Sequence, residues 1–407
     1  FRSYDVWYAN YKWIANVNYI IDAEPEMAGT EADVAYVAGQ AYAIRALCYL
    51  NLATWFSRAP YNSLTGASRW NEPCVPVYTT GTSIDTGGQP RESLRTVYGR
   101  IDQDIDRAIE LLEKARETTL AENNKSHINL YVALGIKSRA CLAEGDWDGA
   151  FKAAKRVIDE GGYAVGTKSD LTSGMNSLDK QNVMWGAGIQ VADQAGGYAG
   201  FFTHMDNKEG AYAKSAPKLI SKQLYNRISA TDIRRDWWDP SDKESPYVSK
   251  KFSFANVASF LGDYIYMRVE EMYFTAAEAA LRLDDLKSAR ELMNTVMAER
   301  DPGYSANNRS GTLLGATTTT WTGSFLENIL THRRIELWGE YGRLFDVRRL
   351  GQGIDRRTDD GFSEECISMM NRRNVNITKA DTYDWVLTIP KAELDANPNI
   401  NEEDQNP

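Results

Sequence analysis

The sequence predicts a mainly α-helical fold, a scaffold of tetratricopeptide-like helical repeats that carries long loop-rich insertions. Three observations predict it. Apolar residues recur with helical spacing over much of the chain, a helix–turn–helix pattern occurs twice, and long segments rich in Gly, Ser, Thr, Asn and Pro separate the periodic segments.

The helical spacing is clearest over residues 93–117, where apolar side chains fall at steps of three and four residues. Asp102, Asp104 and Asp106 lie between these apolar positions, so we expect them on the solvated face of this helix. Similar periodicity predicts further helices at roughly 9–22, 33–57, 129–144, 148–160, 215–229, 264–283, 285–300 and 324–340.

The repeat relates residues 140–150 to residues 279–289, which lie 139 positions later in the chain. Ala140 and Ala150 are small enough to let two antiparallel helices approach closely, and Gly145-Asp146 marks the tight turn between them. Helical hairpins of this kind stack into curved scaffolds.

We expect one domain over residues 1–407. Its helical scaffold would lie mainly in 9–57, 93–160, 264–300 and 324–350, and its loop-rich, ligand-bearing part mainly in 58–92, 161–263, 301–322 and 351–407. Insertions of this length inside a domain are often functional.

Composition limits the class of protein. The 407 residues include 46 basic and 56 acidic side chains, a net charge of −10, which argues against nucleic acid as a partner. Hydrophobic residues make up 43% of the chain, enough for a large core, but no apolar run approaches the roughly 18–20 residues of a membrane-spanning helix. Because Cys48, Cys74, Cys141 and Cys366 form no CxxC pair, we expect buried free thiols.

Motifs for catalysis and metal binding are almost absent. The three histidines lie far apart, no GxSxG segment occurs, and the glycines of 185–190 form a broken pattern that tight packing or a strand turn explains better than a phosphate loop. Residues 358–361 suit a calcium site or equally a turn. With 56 acidic residues, a carboxylate pair for glycoside hydrolysis stays open. The sequence therefore predicts no enzyme, no metal and no cofactor.

Arginines and acids alternate over residues 333–349. Because Glu336, Glu340 and Asp346 are interleaved with the arginines, we expect a structural ion-pair network there rather than a phosphate site.

Several motifs occur in an order that resembles one protein family. They are the helix of residues 41–52 followed by Trp55-Phe56 and Pro60, the Gly145-Asp146-Trp147 turn, the segment 268–279, the arginine-rich segment 333–349, and the closing residues Ile389-Pro390 and Gln405-Asn406-Pro407. In this combination the chain resembles the SusD/RagB-like nutrient-binding lipoproteins of the Bacteroidetes outer membrane, over nearly its whole length. Ser57 and Tyr341 stand where that family usually has glycine.

The resemblance implies a surface-exposed, non-enzymatic protein that captures oligosaccharides or polysaccharides and delivers them to a TonB-dependent SusC-like transporter. It also implies attachment to the outer membrane through an N-terminal lipid, which this chain does not contain, so we expect the natural start of the protein to be missing. Three alternatives stay open: peptide as the cargo of the same uptake system, a cytosolic helical-repeat scaffold that binds a partner helix, and a glycoside-active enzyme.

The family has no fixed binding motif, so candidate ligand-binding residues come from aromatic side chains in polar loops. A flat ring can cover the apolar face of a pyranose while amides and acids bind its hydroxyls. The candidates are Trp70, Tyr198, Phe201, Phe202 and Trp321, with Arg69, Asn71, Asp193 and Gln194 as polar partners. Trp237, Trp238 and Asn207 are further candidates, whereas the helical spacing of Trp13, Trp55, Trp147 and Trp338 predicts packing roles.

Overall fold

Helices dominate the part of the chain that the computed structural model describes, which is residues 3–118, 120, 124–190, 200–356, 358 and 382–407. The helices are α1 (Ser3–Ala23), α2 (Glu31–Phe56), α3 (Leu94–Lys114), α4 (Leu130–Glu144), α5 (Trp147–Glu160), α6 (Lys168–Leu171), α7 (Phe201–Met205), α8 (Ala211–Ser215), α9 (Lys222–Tyr225), α10 (Val269–Arg282), α11 (Leu286–Ala298), α12 (Phe325–Glu336), α13 (Arg343–Leu350) and α14 (Lys391–Ala396). The strands are β1 (Val183–Ala187), β2 (Trp238–Asp239), β3 (Val248–Ser249) and β4 (Tyr264–Arg268). The prediction of a mainly α-helical, tetratricopeptide-like fold is confirmed.

The two predicted repeats are the helical hairpins α4–α5 and α10–α11. Helices α10 and α11 begin at residues 269 and 286, each 139 residues after its counterpart at 130 and 147. Both turns contain a residue in the left-handed conformation, Gly145 with φ 77° and Asp284 with φ 62°. The next residue, Asp146 or Asp285, accepts a hydrogen bond from the backbone N–H three positions on, at 3.0 Å in both hairpins. Helix α5 packs against α10, which joins the two hairpins.

Helix α2 packs between α1 and α3. Gly39 permits the close approach of α3, because a Cβ atom there would lie 2.8 Å from Leu112. A buried ion pair also joins the two helices, since the Arg45 guanidinium donates to both carboxylate oxygens of Asp104 at 2.7 and 2.8 Å. The expectation of a solvated acidic face on α3 is therefore wrong for Asp104, which is 1% exposed.

Two predicted helices differ in the structure. Residues 264–268 form β4, which pairs with β1 in antiparallel fashion, and α10 begins only at Val269. Tyr264 and Tyr266 alternate with apolar residues at the period of a strand, a signal that the helical periodicity after them conceals. Between 215 and 229 only α9 is an α-helix, because Ile220 donates its N–H to Tyr247 at 3.2 Å and holds this segment in a β-bridge.

Close packing accounts for Gly186, as predicted, but not for Gly188, where a Cβ atom would lie no nearer than 3.9 Å to a neighbouring atom. A Cβ atom on Gly186 in β1 would lie 2.3 Å from the backbone oxygen of Tyr264 on β4. The pair of strands can approach to this distance only with glycine at that position.

Glu336, the last residue of α12, is fully buried among three arginines. Its carboxylate accepts hydrogen bonds from Arg234 at 3.2 Å, from Arg268 at 3.0 Å, and from Arg300 at 2.9 and 3.0 Å. Burial alone would raise the pKa of Glu336, but the three guanidinium groups hold it well below its usual range. One carboxylate thus connects α12 to β4, to the 3-10 helix Ile233–Trp237 and to the segment after α11.

A second set of ion pairs continues the network into α13. Asp346 accepts hydrogen bonds from Arg333 and from Arg349, both at 2.9 Å. Arg349 also donates to both oxygens of Glu278, at 2.7 and 2.8 Å. The structural ion-pair network expected over residues 333–349 is confirmed.

The thiols of Cys48, Cys74 and Cys141 are free and buried, as predicted, and Cys366 lies outside the described residues. Burial raises the pKa of Cys48 to about 12, so this thiol stays protonated near neutral pH. Within the described ranges, none of the helices combines the length and the apolar character needed to cross a bilayer.

Carboxylates crowd together where α4 ends. Burial, together with the charges of Asp102 and Asp146, raises the pKa of Glu144 to about 8. Burial, and then the charge of Asp106, raises the pKa of Asp102 to about 6. These groups make the stability of the hairpin fall as the pH rises from acidic values to about 8.

We expect the substitution Glu336→Gln to lower the free energy of unfolding by about 3–5 kcal/mol, because it removes the charge that three buried guanidinium groups share. Urea unfolding followed by circular dichroism measures the change. Asp148→Asn is the matched control, since Asp148 pairs with Lys152 at 2.6 Å on the exposed face of α5; its cost should stay below about 1 kcal/mol. Equal costs for the two variants would contradict the role given to Glu336.

We expect the free energy of unfolding to fall as the pH rises from about 5 to about 9, because Glu144 has a higher pKa in the folded than in the unfolded chain. The contribution is complete below the unfolded value, about 4.3, and is lost as the pH passes through about 8. Glu144→Gln should remove most of this decline in urea unfolding measured across the pH range. Glu110→Gln is the control, because Lys114 and Arg107 lower the pKa of Glu110 and place it outside this window. A wild-type slope in the Glu144 variant would disprove the assignment.

Candidate ligand-binding cavity

A cavity of about 760 Å³ lies where α1, α2, the β1–β4 pair and the segment 339–341 meet. Its volume falls within the range of about 300–1,000 Å³ that is typical of sites for small ligands. Both the helical scaffold and the loop-rich part of the chain contribute side chains to it.

The helical wall of the cavity comes from residues spaced three and four apart, which therefore share one face of each helix. These residues are Trp13, Asn16 and Val17 on α1, and Ile44, Leu47, Cys48 and Asn51 on α2. The Trp13 side chain is 52% exposed, and so its indole ring is available to a ligand. The prediction of a packing role for Trp13 is wrong.

The opposite wall consists of two aromatic rings on the strand pair. Trp185 on β1 and Tyr266 on β4 meet edge to face, with ring centroids 5.0 Å apart and an angle of 67° between the ring planes. The indole Nε1 of Trp185 donates to the backbone oxygen of Ser126 at 3.4 Å, which helps to orient the ring. Tyr266 is 41% exposed. Two flat surfaces therefore border the cavity at a fixed angle.

A cluster of aromatic side chains supports the floor. Phe201 lines the cavity and contacts Phe252 edge to face, with centroids 5.1 Å apart and planes at 90°. Phe202 lies behind it, 2% exposed, among Phe254 and Tyr264. These contacts fix the ring of Phe201 at the surface of the floor.

The segment 339–341 closes the remaining side. Gly339 has φ 75°, and a Cβ atom there would lie 2.5 Å from the ring of Phe252, so only glycine fits. Tyr341 follows, and the Arg139 guanidinium lies 4.0 Å from the centre of its ring. This contact holds the Tyr341 ring against the cavity.

The charged groups at the cavity are already paired. Arg139 donates to both carboxylate oxygens of Glu271, at 2.8 and 2.7 Å. Glu340 accepts from Arg268 at 2.8 Å through each oxygen and from Lys251 at 2.5 Å. Burial opposes the ionisation of Glu340, but Arg268 and Lys251 outweigh it and lower the pKa of its carboxyl group. The cavity therefore offers aromatic faces and amides rather than free charge.

This arrangement does not support glycoside hydrolysis. The reaction needs two carboxyl groups, one of them able to donate a proton near neutral pH. Glu340 is the single carboxylate among the described residues that line the cavity, and its lowered pKa and its ion pairs keep it ionised. The buried thiol of Cys48 is likewise unsuited to act as a nucleophile.

The residues predicted from the sequence lie in several places. Phe201 lines the cavity, and Phe202 lies buried behind it. Trp70 is half-buried elsewhere and meets Tyr98 edge to face at 5.7 Å. Trp321 borders a different pocket, under the guanidinium of Arg227 at 3.7 Å.

The polar candidates that the structure describes are also separated from the cavity. Arg69 lies 3.8 Å from Glu72, and Asn71 is exposed beside Trp70. Asn207 is held by backbone groups, accepting from Lys218 and donating to Ser249, both at 2.8 Å. Tyr198, Asp193 and Gln194 lie outside the described residues.

Trp237 and Trp238 are buried, at 2% and 1% exposure, so neither indole presents a face to a ligand. Trp237 donates its Nε1–H to the backbone oxygen of Leu171 at 2.7 Å. Their position in a polar stretch of sequence conceals a local hydrophobic cluster with Ile220 and Leu224.

Trp13, Trp185 and Tyr266 were not predicted as ligand-binding residues. The alternation of Tyr264, Ile265, Tyr266 and Met267 was a usable signal, because a strand of period two exposes one of its faces. No comparable signal separates Trp13 from a packing residue, since its exposure depends on which other elements cover α1.

Models of known protein families match both the N-terminal and the C-terminal part of the chain. The model of the SusD family, named SusD_RagB, matches residues 206–407, and a model described as starch-binding and associating with the outer membrane, SusD-like_3, matches residues 2–142. No curated protein matches the chain.

Solved structures resemble the whole described fold. A SusD-like carbohydrate-binding protein from Bacteroides vulgatus is 26% identical with a TM-score of 0.76, and the match covers 98% of this chain and 83% of that one. A SusD superfamily protein from Bacteroides thetaiotaomicron is 24% identical with a TM-score of 0.77, over 98% and 85% of the two chains. The fold of surface glycan-binding protein A from Bacteroides uniformis is also similar, at 18% identity and a TM-score of 0.69, over 99% and 84%.

The ordered motifs, the paired helical hairpins and the matches of both family models agree. The chain belongs to the SusD/RagB family, a family of carbohydrate-binding proteins associated with the outer membrane.

Proposed function

We propose that this protein captures oligosaccharides in the cavity and delivers them to a TonB-dependent SusC-like transporter at the cell surface. The observation that carries the proposal is the lining of the cavity, where exposed aromatic rings and amides face a space with no free charge. Membership of the SusD/RagB family supports carbohydrate as the ligand.

The chemistry of the lining suits a sugar ring. The axial C–H groups of a pyranose form an apolar face, which packs on an indole or phenol ring, while its rim of hydroxyls needs hydrogen-bond partners. Trp13, Trp185 and Tyr266 supply the rings, and Asn16 and Asn51 supply amides on the facing helices. The angle of 67° between Trp185 and Tyr266 favours a ligand that bends between successive sugar units.

The expected affinity per sugar unit is modest. Each hydrogen bond to a hydroxyl gains only about 1 kcal/mol, because it replaces a hydrogen bond to water. A ligand of several units adds such contacts along the cavity, so we expect longer oligosaccharides to bind more tightly than single sugars. Weak, additive contacts also allow release, which delivery to a transporter requires.

The association of the family with the outer membrane supports a location at the cell surface, with anchoring by an N-terminal lipid as part of the proposal. A binding protein at this surface needs a channel to receive its cargo, and a TonB-dependent transporter supplies one. Co-purification of the full-length protein with such a transporter tests this part of the proposal. If the two proteins do not co-purify from detergent extracts that contain both, the transporter partnership is rejected.

We expect Trp185→Ala to weaken the binding of a neutral oligosaccharide about tenfold, because the loss of a stacking ring removes roughly 1–1.5 kcal/mol. Isothermal titration calorimetry against a panel of neutral oligosaccharides and mixed peptides measures the change. Circular dichroism establishes that the variant is folded.

Trp70→Ala is the matched control, since Trp70 is a half-buried indole away from the cavity and was predicted from the sequence as a ligand-binding residue. Binding that depends on Trp70 and not on Trp185 would move the site to the loop 58–92. A heat of binding on titration with peptides, and none with any oligosaccharide, would instead favour the peptide-binding alternative.

A further inference from the structure

A second pocket, of about 30 Å³, lies between α12, the first residue of α13 and the loop 314–321. Its lining differs from that of the cavity, because it contains two arginines, Arg334 and Arg343, together with several threonines and Trp321. A pocket needs a volume of about 10–15 Å³ to hold a single water molecule. The pocket therefore has room for the oxygens of one small group but not for a sugar ring.

Arg343 is the unusual member of this lining. It makes no hydrogen bond or ion pair with any described residue, although the arginine-rich segment around it is extensively paired. Asp346, the acid nearest to it in sequence on α13, uses its two oxygens on Arg333 and Arg349, each at 2.9 Å.

The environment of Arg343 penalises its charge. Burial lowers the pKa of its guanidinium to about 10, because it outweighs the charge of Asp346, which raises the pKa, while the charge of Arg349 lowers it. Arg343 is a half-buried cation without a hydrogen-bonded acid among the described residues, and partial burial makes its charge costly. An anion bound in the pocket would remove that cost.

Other groups around the pocket are hydrogen-bond donors. The guanidinium of Arg334 is held in place by the backbone oxygen of Thr318, at 3.3 Å. Thr331 presents a hydroxyl from the same face of α12 as Arg334, three residues away. Arginine binds carboxylates and tetrahedral oxyanions through two parallel N–H···O bonds, and a nearby hydroxyl can donate a further hydrogen bond.

One acid, Glu327, also lines the pocket. Its carboxylate accepts hydrogen bonds from the backbone N–H of Thr322, at 2.9 and 3.0 Å, and of Gly323, at 2.6 Å. This carboxylate is therefore occupied with the loop. Two arginines and this one carboxylate are the charged side chains among the described residues that line the pocket.

We propose that this pocket binds an anionic group of the cargo, either a carboxylate or a sulfate ester carried by the oligosaccharide. The inference rests on the proposed function, because it assigns a chemical class to the same cargo. Tyr341 lines the cavity and Arg343 lines the pocket, and Cα atoms two residues apart cannot be separated by more than about 7 Å. We take this short separation to let a charged substituent on a cavity-bound oligosaccharide extend toward Arg343.

The test compares ligands that differ only in charge. One pair is a trigalacturonate and its methyl ester, and the other is a sulfated galactose trisaccharide and its unsulfated form. Calorimetry at low ionic strength should show about tenfold tighter binding of the acidic member of at least one pair. The pair that shows the preference identifies the anionic group. Equal affinity within both pairs would overturn the proposal without any variant.

Arg343→Gln should reduce the preference to within about twofold, while the affinity for the uncharged member stays the same. Arg343→Lys keeps the charge without the planar fork and should retain part of the preference. Lys152→Gln makes the same change in net charge on the exposed face of α5 and should leave the preference intact. A preference that survives in folded Arg343→Gln would reject the pocket.

Titration of the protein with inorganic sulfate, with chloride at equal ionic strength as the control, tests this inference independently of the proposed function. Binding of sulfate to the wild type and not to Arg343→Gln supports the pocket even where no oligosaccharide binds. Oligosaccharide binding without any effect of sulfate, and without a preference for acidic ligands, supports the cavity and excludes the pocket.

Discussion

The buried carboxylate of Glu336 is the interaction on which the rest of the structure depends. Charge withdrawn from water must be matched locally, and here three guanidinium groups from distant parts of the chain converge on one acid. The pairing brings β4 to the end of α12 through Arg268, which also binds Glu340. The position of β4, and therefore of Tyr266, follows from an electrostatic requirement rather than from local propensity.

The same network explains why the cavity carries so little charge. Glu340 and Arg139 reach its surface, but each is already bound to partners that belong to the framework. What remains for a ligand is a set of rings, of which Trp185 and Tyr266, and likewise Phe201 and Phe252, orient each other through edge-to-face contacts. Rigid, uncharged surfaces lose little conformational entropy when a ligand binds, which suits a protein whose individual contacts are weak.

The sequence was informative where local rules apply. Helical periodicity and the offset of 139 residues identified the hairpins, because capping by Asp146 and Asp285 and the small residues at the turns are local features. The alternating charges of 333–349 identified an ion-pair network but not its partners, since Arg333 and Arg349 reach acids on another helix.

The site was much less predictable. Phe201 was found as an aromatic residue in a polar segment, yet Phe202 beside it is buried, and nothing in their order distinguishes the two. Whether Trp13 packs or lies open depends on which elements cover α1, a property of the assembled fold. The error for Trp237 is the opposite one. Its neighbours in the sequence are polar and suggested an exposed ring, but the side chain is buried.

Gly339 has a consequence for how ligand range can change among related proteins. Any larger residue there would meet Phe252, so the floor and this side of the cavity tolerate little variation. Trp13 and Tyr266, by contrast, are exposed side chains on one helix and one strand. Divergence in specificity can therefore accumulate on these two walls while the floor is inherited unchanged, which separates the evolution of cargo choice from the preservation of the fold.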